Sequence, residues 1–131
     1  MNPSPPPVDV LVVDGANVVG SRPDGWWKDR AGAAARLHTR LLEVPALAPR
    51  VLLVLEGRAR AGVPEGRTAT VEVVHAGGEG DDAIVEQVGR AVAAGAKVAV
   101  VTADRGLAGR VEDQDAMVLG PSWLLGRLPP S

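Results

Sequence analysis

Acidic residues recur where apolar runs give way to polar turns. Asp14 closes V-V-D-G-A-N, Glu56 closes L-V-L-E-G-R, Asp81 and Asp82 close G-G-E-G-D-D, and Asp104 sits in V-V-T-A-D-R-G. Two carboxylates about 4 Å apart repel by roughly 1 kcal/mol in water and about 4 kcal/mol at an effective dielectric near 20. A chain that gathers several of them must neutralise the charge, and a divalent cation with oxygen ligands does so directly. The sequence has no Cys and two His, His38 and His75, so thiolate and multi-imidazole zinc sites are excluded. Carboxylate ligation points to Mg²⁺ or Mn²⁺, one ion or two. Such an ion suits phosphodiester hydrolysis, because it polarises the phosphoryl oxygen, activates water and steadies the leaving oxygen.

Each acid also has a structural reading. Asp14-Gly15 reads as a turn, Asn17 as a cap, Asp81 or Asp82 as a helix N-cap, Glu56 as the start of a surface loop, and Thr102 with Asp104 as a strand-to-helix cap. Capping alone does not require a carboxylate at one strand end after another. The segment from Gly78 to Ala83 matches the dinucleotide pattern G-x-G-x-x-G/A. Its Glu79, Asp81 and Asp82 would repel a pyrophosphate from the helix start that ought to attract it, so that reading is rejected. No G-x-x-x-x-G-K-[ST] phosphate loop and no G-x-S-x-G elbow occurs. A response-regulator receiver would need paired acids after the first strand and a Lys after the last, whereas Asp14 stands alone and Lys97 opens a strand.

The elements that must position these residues follow from hydrophobic period. Val8 to Val13, Arg50 to Leu55, Val71 to Val74, Lys97 to Thr102 and Ala116 to Leu119 are short apolar runs, as expected of strands covered on both faces. Helical spacing runs over Trp27 to Glu43 and Asp82 to Ala94, and shorter helices are expected over Asp104 to Val111 and Ser122 to Leu128. Gly57 to Arg67 has no apolar period and reads as an exposed basic loop. The alternation predicts a doubly wound α/β domain with a mostly parallel five-stranded sheet and helices on both faces. Ligands of such sheets bind beyond the carboxyl ends of the strands, where the acids lie.

The 131 residues suit one domain, placed at 8–128, behind a disordered Pro-rich segment from Met1 to Pro7. The core is aliphatic, with three Trp and neither Phe nor Tyr. No signal-peptide pattern and no apolar stretch of membrane-spanning length occurs, so the chain reads as cytoplasmic with no membrane partner. Net charge is −2, but residues 1–67 hold nine Lys/Arg against seven Asp/Glu, and residues 68–131 hold five against nine.

V-V-D-G-A-N-V-V, G-D-D-A-I-V-E and V-V-T-A-D-R-G, in that order, resemble the motifs of NYN domains in the PIN-like nuclease superfamily, over roughly residues 8–120. The resemblance implies a metal-dependent nuclease acting on nucleic acid, RNA in the first place, and a homodimer as an expectation. It makes Asp14, Asp82 and Asp104 metal ligands, with Asp81 and Glu56 acting at the ion directly or through water. Asn17 and Thr102 would orient the ligands and Arg105 would lie at the site. Relatives commonly carry Asp where this chain has Glu56. After the first motif come Arg22, Trp26, Trp27, Lys28 and Arg30, a candidate substrate clamp in which indoles stack on bases and cations meet phosphates. The competing function is a PIN-like RNA-binding or protein-docking module that does not cut.

Overall fold

In a computed structural model, residues 8–130 are described. The Pro-rich segment expected to be disordered, Met1 to Pro7, lies outside them. The strands are β1 (Val10–Asp14), β2 (Arg50–Leu55), β3 (Gly66–Thr68), β4 (Val71–His75), β5 (Val98–Val101) and β6 (Met117–Leu119). The helices are α1 (Gly15–Gly20), α2 (Arg30–Leu42), α3 (Gly80–Ala93), α4 (Arg105–Glu112) and α5 (Pro121–Leu125). The strands form one six-stranded sheet in the order β3-β4-β2-β1-β5-β6, parallel except for the antiparallel β3–β4 pair.

Strand alternation divides the core into two layers. Leu11, Val13, Leu53, Leu55 and Val101 pack with Val18 of α1, Leu37 and Leu41 of α2, and Leu124 of α5. Val10, Val12, Leu52, Val54 and Val100 turn the other way, onto Ile84 and Val88 of α3 and Leu107 and Val111 of α4. All five residues of β1 are buried, as a central strand with helices on both faces requires.

Three expectations are corrected. The sheet has six strands, because the stretch read as a basic loop forms a 3₁₀ turn over Gly57–Gly62 and then the short edge strand β3. All three residues of β3 are exposed, so it carries no apolar signal to read. The helix expected from Trp27 begins at Arg30, since Trp26–Lys28 is a separate 3₁₀ turn entered through Gly25 at φ 82°. Asp29 then caps α2 by accepting from the Gly32 N–H at 2.9 Å. The first motif does not merely turn: it opens α1 directly from β1. Gly15 permits this, since a Cβ there would lie 2.7 Å from the Val54 carbonyl oxygen. Among the described residues no helix is long and apolar enough to cross a membrane.

Candidate active site at the switch point of the sheet

From β1 the chain moves outward through β2 to β4, and it then returns to the other side of β1 to lay down β5 and β6. The carboxyl ends of β1 and β5 therefore flank the point where connections diverge, which is where open α/β sheets leave a crevice. Register decides what meets there. Val13 pairs with Val101, so the next residues along, Asp14 and Thr102, are neighbours. The Thr102 hydroxyl donates to an Asp14 carboxylate oxygen at 2.9 Å, and both residues are buried.

Helix starts complete the cluster. Asp14 is the N-cap of α1 and accepts from the Asn17 N–H at 3.3 Å. The side-chain oxygen of Asn17 accepts from the Ala103 N–H at 2.8 Å, tying α1 to the turn after β5. Thr102 Oγ also accepts from the Asp104 N–H at 3.1 Å, so one hydroxyl links two acids. Asp104 caps α4 through the Leu107 N–H at 3.0 Å. The Glu56 carboxylate accepts from the Gly80 N–H and so satisfies the start of α3. Packing is close there, because a Cβ on Gly80 would lie 2.7 Å from Glu56 Oε2. The same contact fills the helix start that the dinucleotide pattern would have offered to a pyrophosphate.

The capping readings and the acid-edge reading thus apply to the same side chains. What capping leaves unexplained is the electrostatic strain. Burial pushes the Asp14 carboxyl above its ordinary pKa; the Thr102 and Asn17 hydrogen bonds oppose this, and the charges of Asp81 and Glu56 add to it. Asp81, in the first turn of α3, is also raised, by burial first and then by Asp104 and Glu56, with Arg110 opposing and Glu79 adding. Asp14 thus feels the charges of Asp81 and Glu56, and Asp81 feels those of Asp104 and Glu56. Asp82 faces elsewhere: it is exposed and forms an ion pair with Arg110 of α4 at 3.0 Å. Arg105 is exposed at the first position of α4.

Among the described residues no group of three or more Asp, Glu or His side chains is arranged to hold a metal ion as it stands. The donor chemistry nevertheless fits Mg²⁺ or Mn²⁺. The available groups are hard carboxylate oxygens whose mutual repulsion a cation relieves, and Mg²⁺ takes only one or two carboxylates directly while keeping several waters. Neither imidazole belongs to the site: His38 lies on α2, and His75 Nε2 lies 2.7 Å from the Val63 carbonyl oxygen.

The aromatic segment divides between two places. A cleft of about 300 Å³ beside the acidic edge is lined by Gly15, Ala16, Trp26, Arg30, Glu56 and Glu79, among others. The Arg30 guanidinium lies over the Trp26 ring at 5.4 Å, and Trp27 meets Trp26 edge-on at 6.1 Å. Trp27 is 53% exposed, and Lys28 is exposed beside it. Arg22 is not in this cleft; it lines a separate, smaller pocket with Arg36 and Arg40. The sequence reading passed over Arg36 and Arg40, because on a helix face they look like ordinary solvated charge. Arg60 and Arg67 of the basic stretch are turned to backbone carbonyls of Gly57 and Ala69.

No family model matches the chain, and no curated protein matches it. Solved structures do. The crystal structure of Rae1 (YacP) from Bacillus subtilis aligns with a TM-score of 0.68 at 23% identity, covering 90% of this chain and 72% of that one. A tryptophan-to-leucine mutant of the same protein aligns with a TM-score of 0.72 at 21% identity, covering 90% and 73%. The chain therefore shares the mixed α/β fold of that protein. At these identities the likeness is one of fold, and the site rests on the chain's own residues.

Proposed function

We propose that this chain is a metal-dependent nuclease of the NYN type, hydrolysing phosphodiester bonds in RNA. The observation that carries the reading is the buried Asp14 at the switch point, within electrostatic reach of Asp81 and Glu56 and bridged by the Thr102 hydroxyl to the Asp104 backbone N–H. The order of the three motifs and the PIN-like fold support it. Asp14 and Asp104 would hold the ion, with Glu56 beside them and Asp81 acting through water. Asp82 stands one step out, holding α4 through Arg110 and available through water. When bound, Mg²⁺ or Mn²⁺ supplies charge compensation and polarisation of the phosphoryl group.

The chain's own residues supply the rest. Asp81, half-buried with a raised pKa, is suited to take a proton from the attacking water. The water oxygen bonds to phosphorus as its proton passes to the Asp81 carboxylate, the bond to the leaving oxygen breaks, and that oxygen takes a proton from solvent water to leave as an alcohol. Asn17 and Thr102 hold the first and last motifs in register. Trp26 and Arg30 offer a face for a base, with Trp27, Lys28 and Arg105 exposed nearby.

The test is cleavage of labelled single-stranded RNA in Mg²⁺ and in Mn²⁺, with EDTA and Asp14→Asn as controls. Metal-dependent cutting that the substitution removes supports the proposal; cutting that survives both controls sinks it. A second reading, a PIN-like RNA-binding or protein-docking module, draws on the capping roles of Asp14, Asp104 and Glu56, which would keep these acids in a site that does not cut. RNA binding with no cutting in either metal favours that reading.

A further inference from the structure

Across the C-terminal end of α1 from the base-sized cleft lies a second, smaller pocket. Val19 lines both. Its floor is apolar, from Val18, Leu37 and Leu125, and its rim carries three guanidiniums, Arg22, Arg36 and Arg40, against one carboxylate, Asp24. Arg36 and Arg40 are one turn apart on α2, a spacing at which like charges destabilise a helix. Among the described residues no ion pair neutralises them. Among the described residues the ion pairs are Arg50–Glu72, Arg90–Glu86 and Arg110–Asp82, and none involves Asp24 or the three pocket arginines.

Arg22 and Arg36 are exposed and make no hydrogen bond among the described residues, whereas Arg40 is half-buried and spends its Nε on the Pro129 carbonyl at 2.7 Å. That bond fixes the Arg40 fork and leaves its other N–H groups without a partner among the described residues. Burial and the like charge of Arg22 both disfavour the Arg40 cation, with Glu43 opposing them. The pocket holds about 40 Å³. The adjoining cleft holds about 300 Å³ by the same measure, so the smaller pocket suits a compact group rather than a base.

We propose that Arg22, Arg36 and Arg40 form a phosphate-binding subsite, occupied by a backbone phosphate of the polynucleotide whose bases meet Trp26 in the adjoining cleft. Guanidiniums match phosphate oxygens in planar, paired hydrogen bonds, and an apolar floor strengthens the attraction by lowering the local dielectric. The polynucleotide as the source of the phosphate rests on the proposed function; the pocket's chemistry does not.

Two titrations of the full-length protein, both in EDTA, test this. The first follows inorganic phosphate binding by calorimetry at matched ionic strength, for the wild type, Arg36→Gln and Arg22→Gln. Both substitutions are at exposed positions, and Arg40 is left in place because it also holds Pro129. The expected result is saturable binding, weakened about tenfold or more in each variant. No binding above a matched chloride control, or equal binding in the variants, overturns the subsite. The second follows binding of a fluorescent single-stranded RNA against salt. A log–log salt slope shallower by about 0.7 in each variant supports a backbone phosphate. An unchanged slope beside a positive phosphate titration overturns the polynucleotide occupant and assigns the pocket to free phosphate. If the wild type binds no RNA in EDTA, the polynucleotide occupant is overturned for the metal-free protein, and the phosphate titration still decides the pocket.

Discussion

Asp14 accepts from a hydroxyl and from a backbone N–H while almost closed to water, and its pKa is still raised, so burial, with the charges of Asp81 and Glu56 added, outweighs both hydrogen bonds. The sign for stability follows. An acid whose pKa is raised by folding favours the folded state while it is protonated, and that contribution is lost as pH rises from its ordinary 3.8 through the raised value. In metal-free buffer, Asp14→Asn is therefore expected to melt higher than the wild type at neutral pH. The gain should be about 0.5–2 kcal/mol, the ordinary range for a stabilising substitution, and should vanish below about pH 3.8. Paired melts across pH check this; a variant less stable at pH 7 would make Asp14 a structural cap above all. Thr102 offers a second residue-scale test. Its hydroxyl donates to Asp14 and accepts from the Asp104 N–H, and Thr102→Val removes both links at nearly constant shape. Cleavage should fall about 10–100-fold, the usual cost of losing a group that orients metal ligands, while the melting temperature records any separate loss of packing.

Among the elements, α1 and α3 are set by close approaches that leave no room for a side chain. A methyl on Gly15 would press on the Val54 carbonyl, which belongs to a strand and has nowhere to move. Gly15→Ala should cost about 1–3 kcal/mol, read as a lower denaturation midpoint with an unchanged slope. The sequence shows a Gly after Asp14 without showing why, because the obstructing atom lies some 40 residues away. The same limit explains what was and was not legible. The central strands and the helix cores are plain in the sequence, since Val and Leu runs and helical spacing report burial directly. The exposed strand β3 and the 3₁₀ turn before it have no apolar signature, and the late start of α2 depends on Asp29 and Gly25 more than on hydrophobic period. At the site, the strand-end acids were legible as a set. Which of the two neighbours on α3 faces the edge was not: Asp82 turns to Arg110, and only the packing of α3 against α4 decides that.

At the scale of the whole molecule, sheet order and register bring residues from opposite ends of the chain together: Asp14 and Thr102 are 88 positions apart and in hydrogen-bond contact. The acids lie at the divergence of the sheet, the Trp26 cleft beside them, and the arginine pocket beyond α1. On the proposed reading the acidic edge takes a cation and the arginine pocket an anion, so a phosphodiester chain crossing both would meet the bound cation at one and the guanidiniums at the other. The most direct test compares single-turnover cleavage of one RNA in Mn²⁺ by the wild type, Asp14→Asn and Asp82→Asn. A loss of at least about a hundredfold is expected for Asp14→Asn, beyond the range for a merely orienting group, with activity within a few-fold of wild type for Asp82→Asn. Equal rates for Asp14→Asn and the wild type would contradict the proposed function.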